Sequence, residues 1–291
     1  VREPIILGHE AAGRVVAAGE GTDLAPGDIV ALNPSRPCGS CTYCLRGQEN
    51  HCENMEFRGS AMRMPHVQGL FRDRLVLPAE QCIKAPPDTD LSHLACAEPL
   101  AVCLHAANVA GPLDGRDVLI TGAGPIGALC AAVARARGAA RVVVTDLEDH
   151  ALSVAEAMGA TQCVNVRKTP SAMDDFAAGK GSFDTVFECS AAPPAIRDAI
   201  AATRPLGSFV QVGMTGDVTI PLNGIVAREL RYSGTFRFKG EFAQAVEAIT
   251  SGAITVAPMI SGAFPAEDAA AAFAMAGDRT KAVKVHLTFA G

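Results

Sequence analysis

The spacing of apolar positions changes character along the chain. Before about residue 99, apolar residues come in short runs cut by Gly and Pro. Residues 13–19 and 28–32 read as strands there, and no helix period is convincing before Leu91. From Leu100 to about Phe236, short apolar runs alternate with helix-period segments. The pattern predicts strands at 118–120, 142–144, 162–166, 185–189, 209–212 and 230–236. Between them it predicts an alanine-rich helix reaching Arg137 and helices at 150–158, 172–178 and 195–202. Such alternation predicts a parallel sheet with helices on both faces. Beyond about Lys239 come a helix at 241–250, an alanine-rich helical stretch at 266–276 and a closing strand at 283–287.

Composition narrows this picture. The chain has 291 residues, 49% apolar and 19% charged, which suits two globular domains rather than a disordered polymer. Net charge is -6 with both signs scattered, so no basic face is offered to nucleic acid. No apolar run approaches the length of a membrane-spanning helix. The start, Val1-Arg2-Glu3-Pro4, reads as neither a signal nor a transit peptide. It lacks an initiating Met, so a further N-terminal segment is expected. Of ten cysteines, four are clustered and six lie singly in apolar runs, a usage that fits the reducing cytoplasm.

Residues 117–146 carry the first candidate chemistry. An apolar run, Val118-Leu119-Ile120, leads into Gly122-Ala123-Gly124-Pro125-Ile126-Gly127, then a helix, then Val142-Val143-Val144 and Asp146. In a strand–turn–helix of this kind the first glycine permits the tight turn. The second lets a pyrophosphate approach the backbone, and the third lets helix pack on strand. The helix N-terminus adds free N–H groups and the positive end of its dipole. Asp146, nineteen residues after Gly127, is placed to accept hydrogen bonds from the adenine-ribose hydroxyls. Its charge favours NAD over NADP, because it would repel a 2′-phosphate.

The second signal is Cys38-x-x-Cys41-x-x-Cys44-x7-Cys52. Four thiolates in a short loop wrap a tetrahedral Zn²⁺ with every position closed, which makes the expected role structural. The alternative is two disulfides, for which the x-x spacings are cramped.

Together with Gly8-His9-Glu10, Glu98-Pro99-Leu100-Ala101-Val102 and Phe236-Arg237-Phe238, these motifs make the whole chain resemble the zinc-dependent medium-chain alcohol/polyol dehydrogenases. It looks most like the sorbitol, threonine and L-idonate 5-dehydrogenase branch, and residues 33–37 and 59–69 point to the L-idonate end of it. The resemblance implies an α/β fold, a Rossmann doubly wound parallel sheet plus a mainly β GroES-like catalytic domain. Residues 1–99 and 239–291 would form the catalytic domain, with a zinc lobe at 36–54, and 100–238 the NAD-binding domain. It also implies two zinc ions per intact chain, NAD, a polyol or sugar-acid substrate, and a homodimer or homotetramer.

In the family the His of Gly-His-Glu is a zinc ligand, so His9 is the expected ligand here. Glu10 follows as a ligand or near neighbour. Glu98 stands where the polyol branch carries a glutamate near the metal, and Cys96 is a lesser substitute. The family's first ligand, a cysteine upstream of that motif, has no counterpart after Val1. Zn²⁺ held there would acidify a substrate hydroxyl, while NAD takes the hydride. The active site is then the cleft between the domains.

Val212-Gly213-Met214 closes a sheet strand and is expected along the nicotinamide. Phe236 and Arg237 fall where cofactor and substrate meet. Arg36, Arg63 and His66 are candidates for a sugar-acid carboxylate, although such residues are more often solvated loop residues. His105, Cys103, Cys130 and Cys189 read as core. Sorbitol, xylitol or threonine oxidation stays open beside the sugar-acid reading, as does a non-catalytic NAD-binding homologue.

Overall fold

The computed structural model describes residues 2–290. In chain order the elements begin with β1 (Ala11–Arg14), β2 (Ile29–Leu32), β3 (Ser35–Arg36), α1 (Thr42–Leu45), β4 (Glu56–Phe57) and β5 (Cys82–Ala85). Next come α2 (Leu91–Leu94), α3 (Ala97–Ala110), β6 (Asp117–Thr121), α4 (Pro125–Ala136) and β7 (Arg141–Asp146). They are followed by α5 (Asp149–Ala157), β8 (Gln162–Asn165), α6 (Ala172–Ala177), β9 (Phe183–Glu188), α7 (Pro193–Ala202) and β10 (Thr203–Gln211). The chain closes with α8 (Leu222–Ala227), β11 (Arg231–Gly234), α9 (Glu241–Thr250), β12 (Ile260–Pro265), α10 (Ala269–Gly277) and β13 (Lys284–Thr288).

The six central strands form one sheet in the order β11-β10-β9-β6-β7-β8, and every pairing in it is parallel. The order reverses between β6 and β9, the switch point outside whose carboxyl ends ligands bind in doubly wound sheets. Val118, Leu119 and Ile120 on β6 and Val142, Val143 and Val144 on β7 are wholly buried. Continuous apolar runs of this kind are what a sheet covered on both faces requires.

The first domain is built on the antiparallel sheet β1-β2-β5. Here one strand differs from the expected one. The strand occupies Ala11–Arg14, ahead of the valine-rich 13–19 stretch, because Ala11–Arg14 pairs residue for residue with Leu32–Ile29. The helical turn α1 inside the cysteine loop and the short helix α8 are among the elements that periodicity does not predict, with β3, β4, β5 and α2. The boundary expected after residue 99 falls inside α3, a single helix from Ala97 that carries Glu98.

After α9 the chain returns to the first domain. The Phe289 ring packs tilted against that of Phe71 with centres 6.0 Å apart, Lys284 pairs with Glu10, and His286 Nε2 lies 4.0 Å from Cys96 Sγ. One buried core runs through Ile29, Ala31, Leu100, Ile120, Phe242 and Met259, so the domains share apolar packing.

Candidate active site and metal centres

The glycine turn has the geometry its spacing predicts. Gly122 has φ +90°, a conformation costly for any residue with a side chain, and a Cβ there would press on Ser190 at 3.0 Å. A Cβ on Gly127 would run into the Gly122 carbonyl oxygen, whereas one on Gly124 would meet nothing within 4 Å. The open side of the turn is therefore at Gly124, the N-cap of α4, with Pro125 as the first helical residue. No side chain caps that end, which leaves its N–H groups to a phosphate.

Asp146 ends β7 beside the turn and is buried. Its Oδ2 accepts the N–H of Ala123 at 2.7 Å, and its Oδ1 accepts those of Leu147 and Glu148 at 2.6 and 3.0 Å. Arg279 Nη2 donates to Oδ2 at 2.8 Å from the far end of the chain.

Across the switch point, Glu188 is completely buried at the end of β9. Its Oε1 accepts from the Thr121 hydroxyl at 3.1 Å and from the Ser190 and Ala191 N–H groups, each at 3.0 Å. Gln211 on β10 also donates to this carboxylate. One side chain thus ties the ends of β6, β9 and β10 together. Val212 and Gly213 follow directly, both N–H groups bonded to the Glu188 carbonyl, and Met214 is exposed.

Two groups of three or more metal-donor side chains form among the described residues. In the first, Cys38, Cys41, Cys44 and Cys52 offer sulfurs all within 4.8 Å of one another. All are free thiols, so the disulfide alternative is not realised. The antiparallel pair β3–β4 closes the base of this loop. Backbone N–H groups of Ser40 and Cys41 hold the Cys38 thiol down to about 6, and those of Cys44 and Glu53 lower Cys41. Desolvation and the neighbouring sulfurs push Cys44 up to about 12. Four thiols this close cannot all ionise without a cation between them, and the donor set and its size fit a structural Zn²⁺.

The second group is His9, Glu10 and Glu98, also within 4.8 Å. Three glycines place His9. Gly8 has φ +89°, and a Cβ on it would strike Phe71; a Cβ on Gly59 or Gly69 would strike the Gly8 or Leu7 carbonyl. The 69–71 segment hydrogen-bonds the backbone of Ile6, Leu7 and Gly8 at 2.8–3.0 Å. The loop at 59–69 is thereby the mould against which the Gly-His-Glu segment is held. Desolvation lowers the His9 pKa, with Lys284 and Arg237 adding to the effect, which favours the neutral imidazole that a metal takes as ligand.

Burial pushes Glu98 up to about 8, with Arg237 opposing. A buried carboxylate that resists ionisation is one that a bound cation would relieve. Glu10 divides its oxygens, Oε1 lying 3.9 Å from His9 Nε2 while Oε2 pairs with Lys284. Burial brings Lys284 down to about 8. Cys96 lies outside the donor group, and burial raises its thiol to about 12.

Arg237 follows β11 with φ +54°, rare for a residue carrying a side chain. Its guanidinium lies 4.1 Å from the Phe57 ring centre and 4.8 Å from that of Phe236. It acts electrostatically on both His9 and Glu98. Asn50 Nδ2 donates to the Phe236 carbonyl at 3.0 Å, which fastens the cysteine lobe to this corner.

The other candidates fall elsewhere. Arg36 and Arg63 both approach Glu56, at 3.4 and 3.9 Å. His66 is buried rather than solvated, its Nδ1 2.9 Å from the Arg63 carbonyl and its Nε2 accepting from the Arg2 N–H at 3.2 Å. His105 is core, bonded to Glu241 at 2.9 Å. Cys103 and Cys130 are core as expected, whereas Cys189 is only partly buried and packs against that core, 3.9 Å from Cys130. Lys284, Arg279 and Glu188 escaped sequence reasoning. Only the position of Glu188, at the end of a predicted strand, could have singled one of them out.

A glycine turn open at a helix N-terminus, together with a separate donor group of one histidine and two acids, is what a metal-dependent alcohol dehydrogenase requires. Comparison with known proteins agrees. A family profile described as "Zinc-binding dehydrogenase" matches residues 125–251, and one described as "Alcohol dehydrogenase GroES-like domain" matches residues 1–87. The chain is 41% identical to L-idonate 5-dehydrogenase (NAD(P)(+)) of Escherichia coli over 99% of its own length and 84% of that protein's. The crystal structure of the Escherichia coli L-idonate 5-dehydrogenase superposes with a TM-score of 0.95, covering 99% of this chain and 83% of that one. Sorbitol dehydrogenase of Arabidopsis thaliana is 36% identical over 91% of this chain and 73% of the plant protein. The chain belongs to the zinc-dependent medium-chain alcohol/polyol dehydrogenase family.

Proposed function

We propose that this protein oxidises a secondary alcohol of a sugar acid, in the manner of an L-idonate 5-dehydrogenase, with NAD as acceptor and zinc at the His9–Glu10–Glu98 site. The observation that carries the substrate class is Arg237. A cation held in a left-handed conformation between two aromatic rings, next to the donor set, suits a carboxylate, which a sugar acid has and a neutral polyol lacks. The 41% identical relative bears the name of such an enzyme. The polyol reading is the second one, favoured by the identity to the plant sorbitol dehydrogenase.

Zinc bound there would supply Lewis acidity toward a substrate hydroxyl, and bound NAD would supply the hydride acceptor. The chain's own residues do the rest. His9 and Glu98 hold the metal, and Glu10, anchored through Oε2 by Lys284, presents Oε1 beside them. Gly122, Gly124, Pro125, Ile126 and Gly127 cradle the pyrophosphate, and Asp146 orients the adenine ribose. Val212, Gly213 and Met214 would line the nicotinamide site, and Phe236 and Arg237 would face cofactor and substrate. Cys38, Cys41, Cys44 and Cys52 hold the structural zinc, which keeps Asn50 on the Phe236 carbonyl.

The proposal extends to a homodimer or homotetramer in the cytoplasm. The free edge of β11 supports the first and the ten free thiols support the second. Residues 1–99 with 239–291 act as the catalytic domain and 100–238 as the cofactor domain. The test is NADH formation by the full-length protein with L-idonate, sorbitol, xylitol, L-threonine and a simple primary alcohol. L-idonate should give the highest kcat/KM, and turnover confined to the primary alcohol would sink the proposal.

A further inference from the structure

Three acids crowd the carboxyl end of β7, and each has its own cation. Arg279 Nη2 lies 2.8 Å from Asp146 Oδ2, Arg167 Nη2 lies 3.0 Å from Glu148 Oε1, and Lys168 contacts Asp149. The field that was expected to repel a 2′-phosphate is therefore neutralised pair by pair.

Arg279 differs from the other two cations. Its partner Asp146 has a side chain only 3% exposed, whereas its own side chain is 54% exposed. The guanidinium covers a buried acid and turns its remaining donors outward. Asp146 also does not depend on it, because three backbone N–H groups already satisfy the carboxylate. Arg279 therefore has donors to spare for a second anion while it stays on Asp146.

The residue is delivered by a hydrogen-bonded turn between α10 and β13. Asp278 Oδ1 accepts from the Thr280 N–H at 3.1 Å and the Thr280 hydroxyl at 2.6 Å, and Asp278 Oδ2 pairs with Lys281 at 2.9 Å. The loop thus brings a planar, bidentate donor to the strand end where the adenine ribose belongs.

We propose that Arg279 is the specificity-determining residue of the cofactor site, one that holds the 2′-phosphate and lets the protein accept NADP beside NAD. The assignment rests on the reading of the chain as a nicotinamide-dependent dehydrogenase. With NAD, the ribose hydroxyls take the place of the Arg279 N–H on Asp146 Oδ2. With NADP, Arg279 keeps one N–H on Asp146 Oδ2 and gives its outward donors to the phosphate, so Asp146 stays neutralised while Arg167 keeps Glu148 paired.

The test is fluorescence titration of NADH and NADPH into the full-length protein and into Arg279→Gln and Arg279→Lys. Arg279→Gln should raise the Kd for NADPH roughly tenfold more than the Kd for NADH, which is what losing a charged hydrogen bond to phosphate predicts. Arg279→Lys, which keeps the charge, should recover most of that difference. Equal changes for the two cofactors, or a wild-type protein that binds NADH but not NADPH, overturn the assignment alone. A wild-type protein that binds neither overturns the dehydrogenase reading and the assignment with it.

Discussion

Adding a single methyl group at Gly124 separates cofactor binding from folding. Gly124 has φ -65° and ψ -175°, which alanine adopts freely, and a Cβ there meets no atom within 4 Å. Reduced freedom of the unfolded chain favours Gly124→Ala by about 0.4–1 kcal/mol, and the poorer N-cap costs a comparable amount. Stability should therefore move by less than about 1 kcal/mol, which for a chain of this size is roughly 2–4 °C in Tm. The open space is the approach path of the pyrophosphate, so the same methyl should weaken NAD by at least about 1.4 kcal/mol, or tenfold in Kd.

Gly127→Ala is the contrasting variant. Its Cβ would lie 1.8 Å from the Gly122 carbonyl oxygen, backbone that cannot swing aside. Overpacking of that kind costs roughly 1–3 kcal/mol, and Tm should fall accordingly. The assay pairs thermal melts with NADH titration for wild type and both variants. A Gly124→Ala protein that binds NADH as tightly as wild type would refute the placement of the pyrophosphate.

Gly69→Ala brings a Cβ to 2.2 Å from the Leu7 carbonyl oxygen, so it should displace His9 and lower turnover while the cysteine lobe keeps its zinc; unchanged kcat with full zinc at both sites would contradict that. Cys41→Ser should release the structural zinc and destabilise the corner anchored by Asn50 and Phe236, and an unaltered metal content would show that the four sulfurs do not hold one. Glu241 carries a pH signature. Burial raises its pKa, but hydrogen bonds from His105, the Lys239 N–H and Asn108 outweigh that and bring it down to about 2. A carboxyl depressed in the folded state contributes stability above its unfolded pKa of 4.5 and loses it as pH falls towards 2. Unfolding free energies from urea titrations at pH 5, 4 and 3 should therefore fall more for wild type than for Glu241→Gln, by about 2 kcal/mol over that range, and parallel curves would remove the pair from the account.

The parts of the site legible in the sequence are those whose geometry is local. Gly122, Gly124 and Gly127 have separate duties fixed by a single turn, and Cys38 to Cys52 close one loop, so spacing alone located them. The alternating strands and helices were legible for the same reason, although β10 begins at Thr203 rather than near Phe209, because its first residues pair with β9 across a register shift. What stayed hidden depends on residues brought together from afar. Lys284 reaches Glu10 and Arg279 reaches Asp146 only after the C-terminal strands return to the first domain. The mould made by Gly59 and Gly69 around Gly8 has no periodicity that a sequence could display.

The central claim is that the chemistry belongs to the His9 group and is separate from the cysteine lobe. Zinc content per chain in the full-length protein and in His9→Ala tests it most directly. The account predicts two zinc ions in the wild type, one for each donor group, and one in His9→Ala with NADH formation lost. Two zinc ions retained in His9→Ala would contradict it.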